Sequence, residues 1–331
     1  MKADIVVGLQ AGDEAKGKVT YNLLKKGSYT HCMRFNGSGN AGHTIYHKGE
    51  KFVTHQIPTG VFFGVKSIIG AGCVVDFEAL NEEVKELESH GLKVREHLFV
   101  SKRAHVIFPK HLSIDSQGSG IGSTKKGVGP AYSEKYARTG KRAEDVAVVY
   151  GFRSNLVDVY EELHKDGVRV LLEGAQGFNL DIDWGDYPYV TSSPCTVAGA
   201  IQNGIPYTAI SSVYGVGKCY ETYVGTKKFQ PDEEVFEEIA KVGNEFGSTT
   251  GRPRQCNWMD LEGLKKAAKL NCVTDLIINK MDVMREVGEW KVYENDSIKD
   301  LGSEMDFTQY LASHMLQIVQ HVTFSDNPYG F

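Results

Sequence analysis

The segment Gly12-Asp13-Glu14-Ala15-Lys16-Gly17-Lys18-Val19 constrains this chain more than any other. It fits G-x-x-x-x-G-K, a loop whose backbone N–H groups cradle phosphates between a strand and a helix. The context agrees with that spacing. Ile5-Val6-Val7 followed by Gly8 reads as a short buried strand, and Lys18 to Lys26 reads as a helix. An anion is favoured at such a helix start by free N–H groups and by the helix dipole. Two features depart from the usual motif. Val19 stands where a Mg²⁺-binding Ser or Thr is usual, and Asp13 and Lys16 lie inside the loop. A carboxylate among phosphates is costly unless it binds a cation or takes a proton. The bland alternative is a tight glycine turn with no ligand.

The rest of the chain extends the strand–loop–helix pattern. Ser67 to Val75 reads as a second core strand. Asp76 to His90 reads as a helix capped by Asp76, with Leu80, Val84 and Leu87 at helical spacing. Further strands are expected within His97 to Ile107, at Val168 to Glu173, which ends on a carboxylate, and at Asp275 to Ile278 after a helix over Leu261 to Leu270. Strands alternating with helices predict an α/β fold: a mostly parallel central sheet flanked by helices, with a P-loop-like nucleotide site. Residues 113–129 and 224–254 are long, polar and Gly-rich, and are expected to form large active-site loops. No linker interrupts the pattern, so residues 1–331 are expected to form a single domain.

Four more segments carry chemistry. Asn279-Lys280-Met281-Asp282 follows a strand and has the form N-K-x-D, in which the Asp carboxylate accepts from guanine N1–H and the 2-amino group; an ordinary helix N-cap at Asp282 is the alternative. In Arg34 to Thr44, Gly37, Gly39 and Gly42 let the backbone approach a ligand closely and present Asn40 and His43, the latter an acid/base candidate. Residues 121–142 combine hydroxyls, glycines and lysines with Arg138, which suits a second phosphate or a merely solvated basic loop. Residues 247–254, GSTTGRPR, place two hydroxyls and two arginines on one turn, which suits a dicarboxylate or an exposed polar turn. The formal net charge is −5, so no excess of positive charge points to nucleic acid, and anions must be met locally. No apolar stretch is long enough for a membrane span. Six scattered cysteines with no C-x-x-C pair read as small thiols in a reducing compartment, and a cytoplasmic location is expected.

GLQAGDEAKGK, NGSGNAGHT, IGSTKKGVGPAY, EGAQG, YPYVTSS, STTGRPRQCNWMD and NKMD occur in the order found in adenylosuccinate synthetases, and the chain resembles that family over most of its length. The resemblance implies a GTP-dependent ligase that joins L-aspartate to carbon 6 of a purine nucleoside 5′-monophosphate. It implies Asp13 as the base at N1, His43 as the acid that assists the departing GDP, Lys16 as the cation on the transferring phosphoryl group, and Gln176 at the purine O6. Asp13 and the carbonyl of Gly42 would hold Mg²⁺. Asn40, Thr124, Arg138, Gln176, Thr191 and Val224 would bind the purine monophosphate, with Arg138 reaching into the neighbouring subunit of a homodimer. Thr249, Thr250, Arg252 and Arg254 would bind aspartate. Gly12, Gly17, Lys18, Gly42, Thr44, Lys280, Asp282 and Ser325 would bind GTP.

Ala11 and Ala15 depart from the family's usual Trp and Gly, and the short chain is similar to archaeal members and their phage relatives, which act on dGMP. Retained Asp13, where those phage enzymes carry Ser, tilts the expectation to IMP, with dGMP as the alternative. A switch GTPase would account for the phosphate loop and NKMD, but would want a hydroxyl after Lys18 and a D-x-x-G well upstream. A kinase would leave the GRPR turn unused.

Overall fold

The computed structural model describes residues 1–118, 122–247 and 251–327. Its centre is a nine-stranded sheet. In chain order the strands are β1 (Lys2–Gly8), β2 (His31–Arg34), β3 (Lys66–Ile69), β4 (Leu98–Ser101), β5 (Leu156–Val157), β6 (Arg169–Glu173), β7 (Ile210–Lys218), β8 (Asp275–Asn279) and β9 (His321–Phe324). Across the sheet they run β9-β8-β7-β1-β6-β2-β3-β4-β5, and every pairing is parallel. Ile5, Val6 and Val7 are fully buried, as strands covered on both faces must be. Helices supply that cover. They include α1 (Lys16–Lys26), α2 (Phe77–Ser89), α3 (Pro109–Ser116), α4 (Val128–Ala137), α5 (Val235–Val242), α6 (Leu261–Leu270), α7 (Met281–Val287) and α8 (Glu304–Met315). The Asp76 carboxylate accepts from the N–H groups of Glu78 and Ala79 at 3.0 Å, so α2 starts where the capping pattern placed it.

Because all nine strands are parallel, their C-terminal ends share one edge. Sheet β1 lies between β6 and β7, so the turns after β1, β6, β7 and β8 open side by side there. Open α/β sheets place ligands at such a reversal of strand order. The turns are tied together at that edge. Gln10 Nε2 donates to the Lys218 carbonyl (3.1 Å), the Lys218 N–H donates to Gln10 Oε1 (2.8 Å), and Asn279 Nδ2 donates to the Glu14 carbonyl (2.7 Å).

Two expectations are corrected, and a third, the strand within His97 to Ile107, is borne out and refined. The run Ser67 to Val75 is broken after Ile69 and resumes only as Val74–Val75. A Cβ on Gly72 would stand 2.1 Å from the Phe35 carbonyl oxygen, so the chain leaves the sheet through glycine to pass that backbone. His97 to Ile107 splits into Leu98–Ser101 and His105–Val106 around an exposed turn at Arg103. The long segment 224–254 contains helix α5, which buries Phe236 and Ile239. No helix of the described residues is long and apolar enough to cross a membrane.

Candidate active site

The loop after β1 is built around its own carboxylate. Glu14 is fully buried, and its Oε1 accepts from the N–H groups of Gln10 (3.2 Å) and Gly12 (2.8 Å) while Oε2 accepts from Lys16 Nζ at 2.5 Å. Lys16 is therefore held in place before any phosphate arrives. The turn needs left-handed backbone at Gly12 (φ 90°), Asp13 (φ 61°) and Ala15 (φ 70°). The Asp13 side chain is partly exposed and meets Arg254. A Cβ on Gly8 would come within 2.6 Å of Glu14 Oε2 and 2.7 Å of the Gln176 carbonyl oxygen, so the loop closes over a glycine. Gly17 packs on the residue after Gly42: its added Cβ would lie 3.0 Å from His43 Cβ. Lys18, two residues into α1, donates to Ser325 Oγ at 2.9 Å. Burial lowers its pKa to about 8, with Asp282 pulling the other way.

His43 opens the hairpin His43–His47/Glu50–Thr54, followed at once by Thr44. Its Nδ1 is hydrogen-bonded to Glu173 Oε1 at the end of β6. Burial above all, then the Arg34 guanidinium, lowers His43 to about 4. The ring is thus neutral near pH 7, with Nδ1–H donated to the carboxylate. Burial by itself would raise Glu173, but the charges and hydrogen bonds around it carry it down to about 2. Three residues beyond Glu173, Gln176 adopts left-handed backbone (φ 57°) and both its side-chain amide atoms are buried with no hydrogen-bond partner among the described residues. An amide left unsatisfied in this way is a donor and an acceptor ready for a ligand edge. Asn40 Oδ1 accepts from the Ser38 N–H at 3.1 Å, which shapes the glycine-rich turn before His43.

On the other side of the phosphate loop, Arg254 Nε lies 2.9 Å from Asp13 Oδ2, and Arg254 Nη1 bonds to Glu245. Glu245 is buried. It also accepts from the Tyr220 hydroxyl and has Lys218 Nζ at 3.6 Å and Lys280 Nζ at 3.9 Å. Lys280, left-handed at φ 70°, caps α7 and donates to the Gly243 carbonyl at 2.9 Å. Asp282 follows in the first turn of α7 with its side chain exposed, so the N-cap is Lys280 and Asp282 is left for other work. Arg252 Nη2 donates to the Gly122 carbonyl at 3.2 Å, joining the GRPR turn to the loop that carries Thr124. Asp115 holds that loop, accepting from Ser123 Oγ (2.6 Å) and the Gly127 N–H (2.8 Å). Thr191 is tied by its N–H to the Leu180 carbonyl (2.8 Å), and Val224 is half-buried at the end of a buried strand. Arg138 is exposed at the left-handed C-cap of α4 (φ 65°). Thr249 and Thr250 lie outside the described residues.

The structure therefore gathers Asp13, Lys16, Lys18, His43, Gln176, Arg254, Lys280 and Ser325 at one sheet edge. Sequence reasoning missed two of the carboxylates that organise them, Glu14 and Glu245, and noted the third, Glu173, only as the end of its strand. Glu14 carried a signal, being a second acid inside an anion-binding loop. Glu245 partners cations across the fold and left none.

A family model described as adenylosuccinate synthetase matches residues 5–164 and 150–317. The adenylosuccinate synthetase of Cytophaga hutchinsonii is 40% identical over an alignment spanning 88% of this chain and 80% of that protein. The chain belongs to the adenylosuccinate synthetase family. The Aquifex aeolicus member is 37% identical, with 96% of this chain and 84% of the relative covered. Among solved structures, the fully ligated adenylosuccinate synthetase of Plasmodium falciparum superposes with a TM-score of 0.84 at 28% identity, covering 99% of this chain and 98% of that one. A cyanophage S-2L succinoaminodeoxyadenylate synthetase, solved with dGMP and with dATP as an energy donor, gives a TM-score of 0.78 at 21% identity, which shows a shared fold. As a member of the family, the protein is a GTP-dependent carbon–nitrogen ligase of purine biosynthesis.

Proposed function

We propose that this member of the family joins L-aspartate to carbon 6 of IMP, by way of a 6-phosphoryl purine made with GTP. The observation that carries the 6-phosphoryl chemistry is Asp13 at the mouth of the phosphate loop together with the unsatisfied amide of Gln176, which IMP and dGMP would both satisfy; the retention of Asp13, where the phage relatives carry Ser, tilts the choice to IMP. The two turns that carry them lie close: a Cβ on Gly12, the residue before Asp13, would stand 3.9 Å from Gln176 Cα. A purine that carries N1–H and O6 satisfies both, giving its proton to Asp13 and its oxygen to the Gln176 amide. The O6 oxyanion then attacks the γ-phosphorus, and Lys16 neutralises charge as the phosphoryl group transfers. With Nδ1–H given to Glu173, His43 turns Nε2 to the leaving phosphate, and the negative charge of the triphosphate favours a second proton there. The aspartate amine finally displaces phosphate at carbon 6. Arg252 and Arg254, with Thr249 and Thr250, suit the two carboxylates of aspartate, which compete with Asp13 for Arg254. Asn40, Thr124, Thr191 and Val224 suit the monophosphate and ribose, and Lys280 and Asp282 suit guanine.

Mg²⁺ fits this arrangement. The described residues contain no group of three or more side chains suited to a metal ion. Mg²⁺ takes few protein ligands when it shares a site with phosphates, so the Asp13 carboxylate and the Gly42 carbonyl suffice as oxygen donors. Bound there, it would neutralise phosphate charge. The exposed Arg138 is assigned to the nucleotide of a second subunit, so the working unit is a homodimer.

The test is a paired assay in which IMP or dGMP is supplied with GTP, Mg²⁺ and aspartate. IMP is expected to give the higher kcat/KM. A higher value with dGMP overturns the substrate assignment, and turnover without aspartate overturns the ligase chemistry.

A further inference from the structure

Glu173 is the last residue of β6, and its place in the sheet is fixed from both sides. It pairs with Val6 of β1 and with Arg34 of β2. Its buried carboxylate receives only donors. Oε1 accepts from His43 Nδ1 and from Thr59 Oγ1 (2.9 Å), with Arg34 Nη1 at 3.9 Å. Oε2 accepts from the Thr59 N–H (2.9 Å) and the Cys32 thiol (3.7 Å). A carboxylate is the side chain that can face donors with both oxygens. A glutamine cannot do so. With its NH₂ toward His43 it opposes Nδ1–H, and with its NH₂ toward Thr59 it opposes a backbone N–H. The strand that delivers Glu173 continues through Gly174 and Ala175 to Gln176, so one short turn sets both the imidazole and the purine-facing amide.

We propose that Glu173, braced by Thr59 and Arg34, is a positioning residue for His43. It pins the Nδ1 edge of the imidazole and thereby fixes Nε2 as the edge presented to the nucleotide. This inference rests on the proposed role of His43 as the acid for the departing GDP. Its content is orientation: the ring is held by a group anchored at the sheet centre, whereas His43 itself sits on a hairpin outside that sheet. Outer hydrogen bonds that orient an imidazole typically matter by about ten- to a hundredfold when lost.

A double-mutant cycle with His43 tests it. Glu173→Gln is expected to lower kcat about ten- to a hundredfold, with KM for GTP and for the monophosphate within about twofold. In a His43→Asn background the same substitution is expected to change kcat by less than about twofold, because the group it positions is gone. Thr59→Val removes one donor to Glu173 and leaves every charge in place. It serves if Glu173→Gln does not fold, with an expected loss of about three- to tenfold that also vanishes without His43. In ¹⁵N spectra of imidazole-labelled protein, the Nδ1 signal of His43 is expected to move from its hydrogen-bonded position in Glu173→Gln. Equal losses with and without His43, or an unmoved His43 signal, would mean a purely structural carboxylate and would overturn the proposal. Full activity of His43→Asn alone would instead overturn the acid role, which is a separate failure.

Discussion

Replacing Glu221 with glutamine isolates one buried acid. Glu221 lies on the fully buried strand Tyr220–Tyr223, paired opposite Asn257, and its Oε1 accepts the Asp260 N–H at a long 3.4 Å. Burial first, and the nearby Asp260 carboxylate second, push its pKa up to about 8. At pH 7 the folded protein therefore holds a proton that the unfolded chain has released. Below about pH 4.5 both states are protonated and the group is neutral with respect to stability. Between about pH 4.5 and 8 the native state binds the extra proton, and stability falls by about 1.4 kcal/mol per pH unit. The ceiling is about 3 kcal/mol at pH 7 and about 5 kcal/mol above pH 8. Glutamine keeps the carbonyl that accepts from Asp260 and does not titrate. Urea unfolding of both proteins at pH 5, 7 and 9 reads the difference, with other titrating groups cancelling. The variant is expected to gain on the wild type steadily from pH 5 to pH 8. A constant offset across that range, whatever its size, would mean that Glu221 is ionised in the fold and would refute the reasoning.

Two further outcomes follow from the site. Asp282→Asn turns an acceptor into a donor toward guanine. Loss of a hydrogen bond to a charged group costs about 1.5–3 kcal/mol, so KM for GTP is expected to rise about ten- to a hundredfold while KM for aspartate is unchanged; equal use of ATP and GTP by the wild type would contradict the guanine assignment. Mixing inactive Asp13→Ala with inactive Arg138→Leu is expected to restore activity through mixed dimers; no recovery when subunit exchange is demonstrated would contradict a shared site.

Local patterns were readable from sequence, and long-range partners were not. Glycine spacing placed the loop between β1 and α1, Asp76 announced α2, and the apolar run before Asn279 announced β8. Helix α5 was also readable, since Phe236 and Ile239 recur at helical spacing, but the charged run from Asp232 to Glu238 masked it. The break after Ile69 was not readable, because residues 70–73 leave the sheet to avoid the backbone at Phe35. Likewise, nothing near Glu173 in the chain names its partners: His43 is 130 residues away and Thr59 is 114.

Those distant carboxylates also explain how a chain with a net charge of −5 builds a site for two nucleotides and a dicarboxylate. Several cations of the site are held by buried acids before any ligand binds, whereas Lys18 is held by Ser325. Glu14 holds Lys16, Glu173 lies beside Arg34, and Glu245 gathers Lys218, Arg254 and Lys280. Unpaired, these cations would repel one another and pull water into the loops; paired, they keep fixed positions at low net charge. Asp13 differs from the three buried acids. It is partly exposed, on strained backbone, and paired to Arg254 at the mouth of the loop. In the proposed reaction, substrate carboxylates and phosphates would compete most directly for that partly exposed pair. The buried acids would hold the frame while the Asp13–Arg254 contact yields to substrate, which would free Asp13 to take a proton.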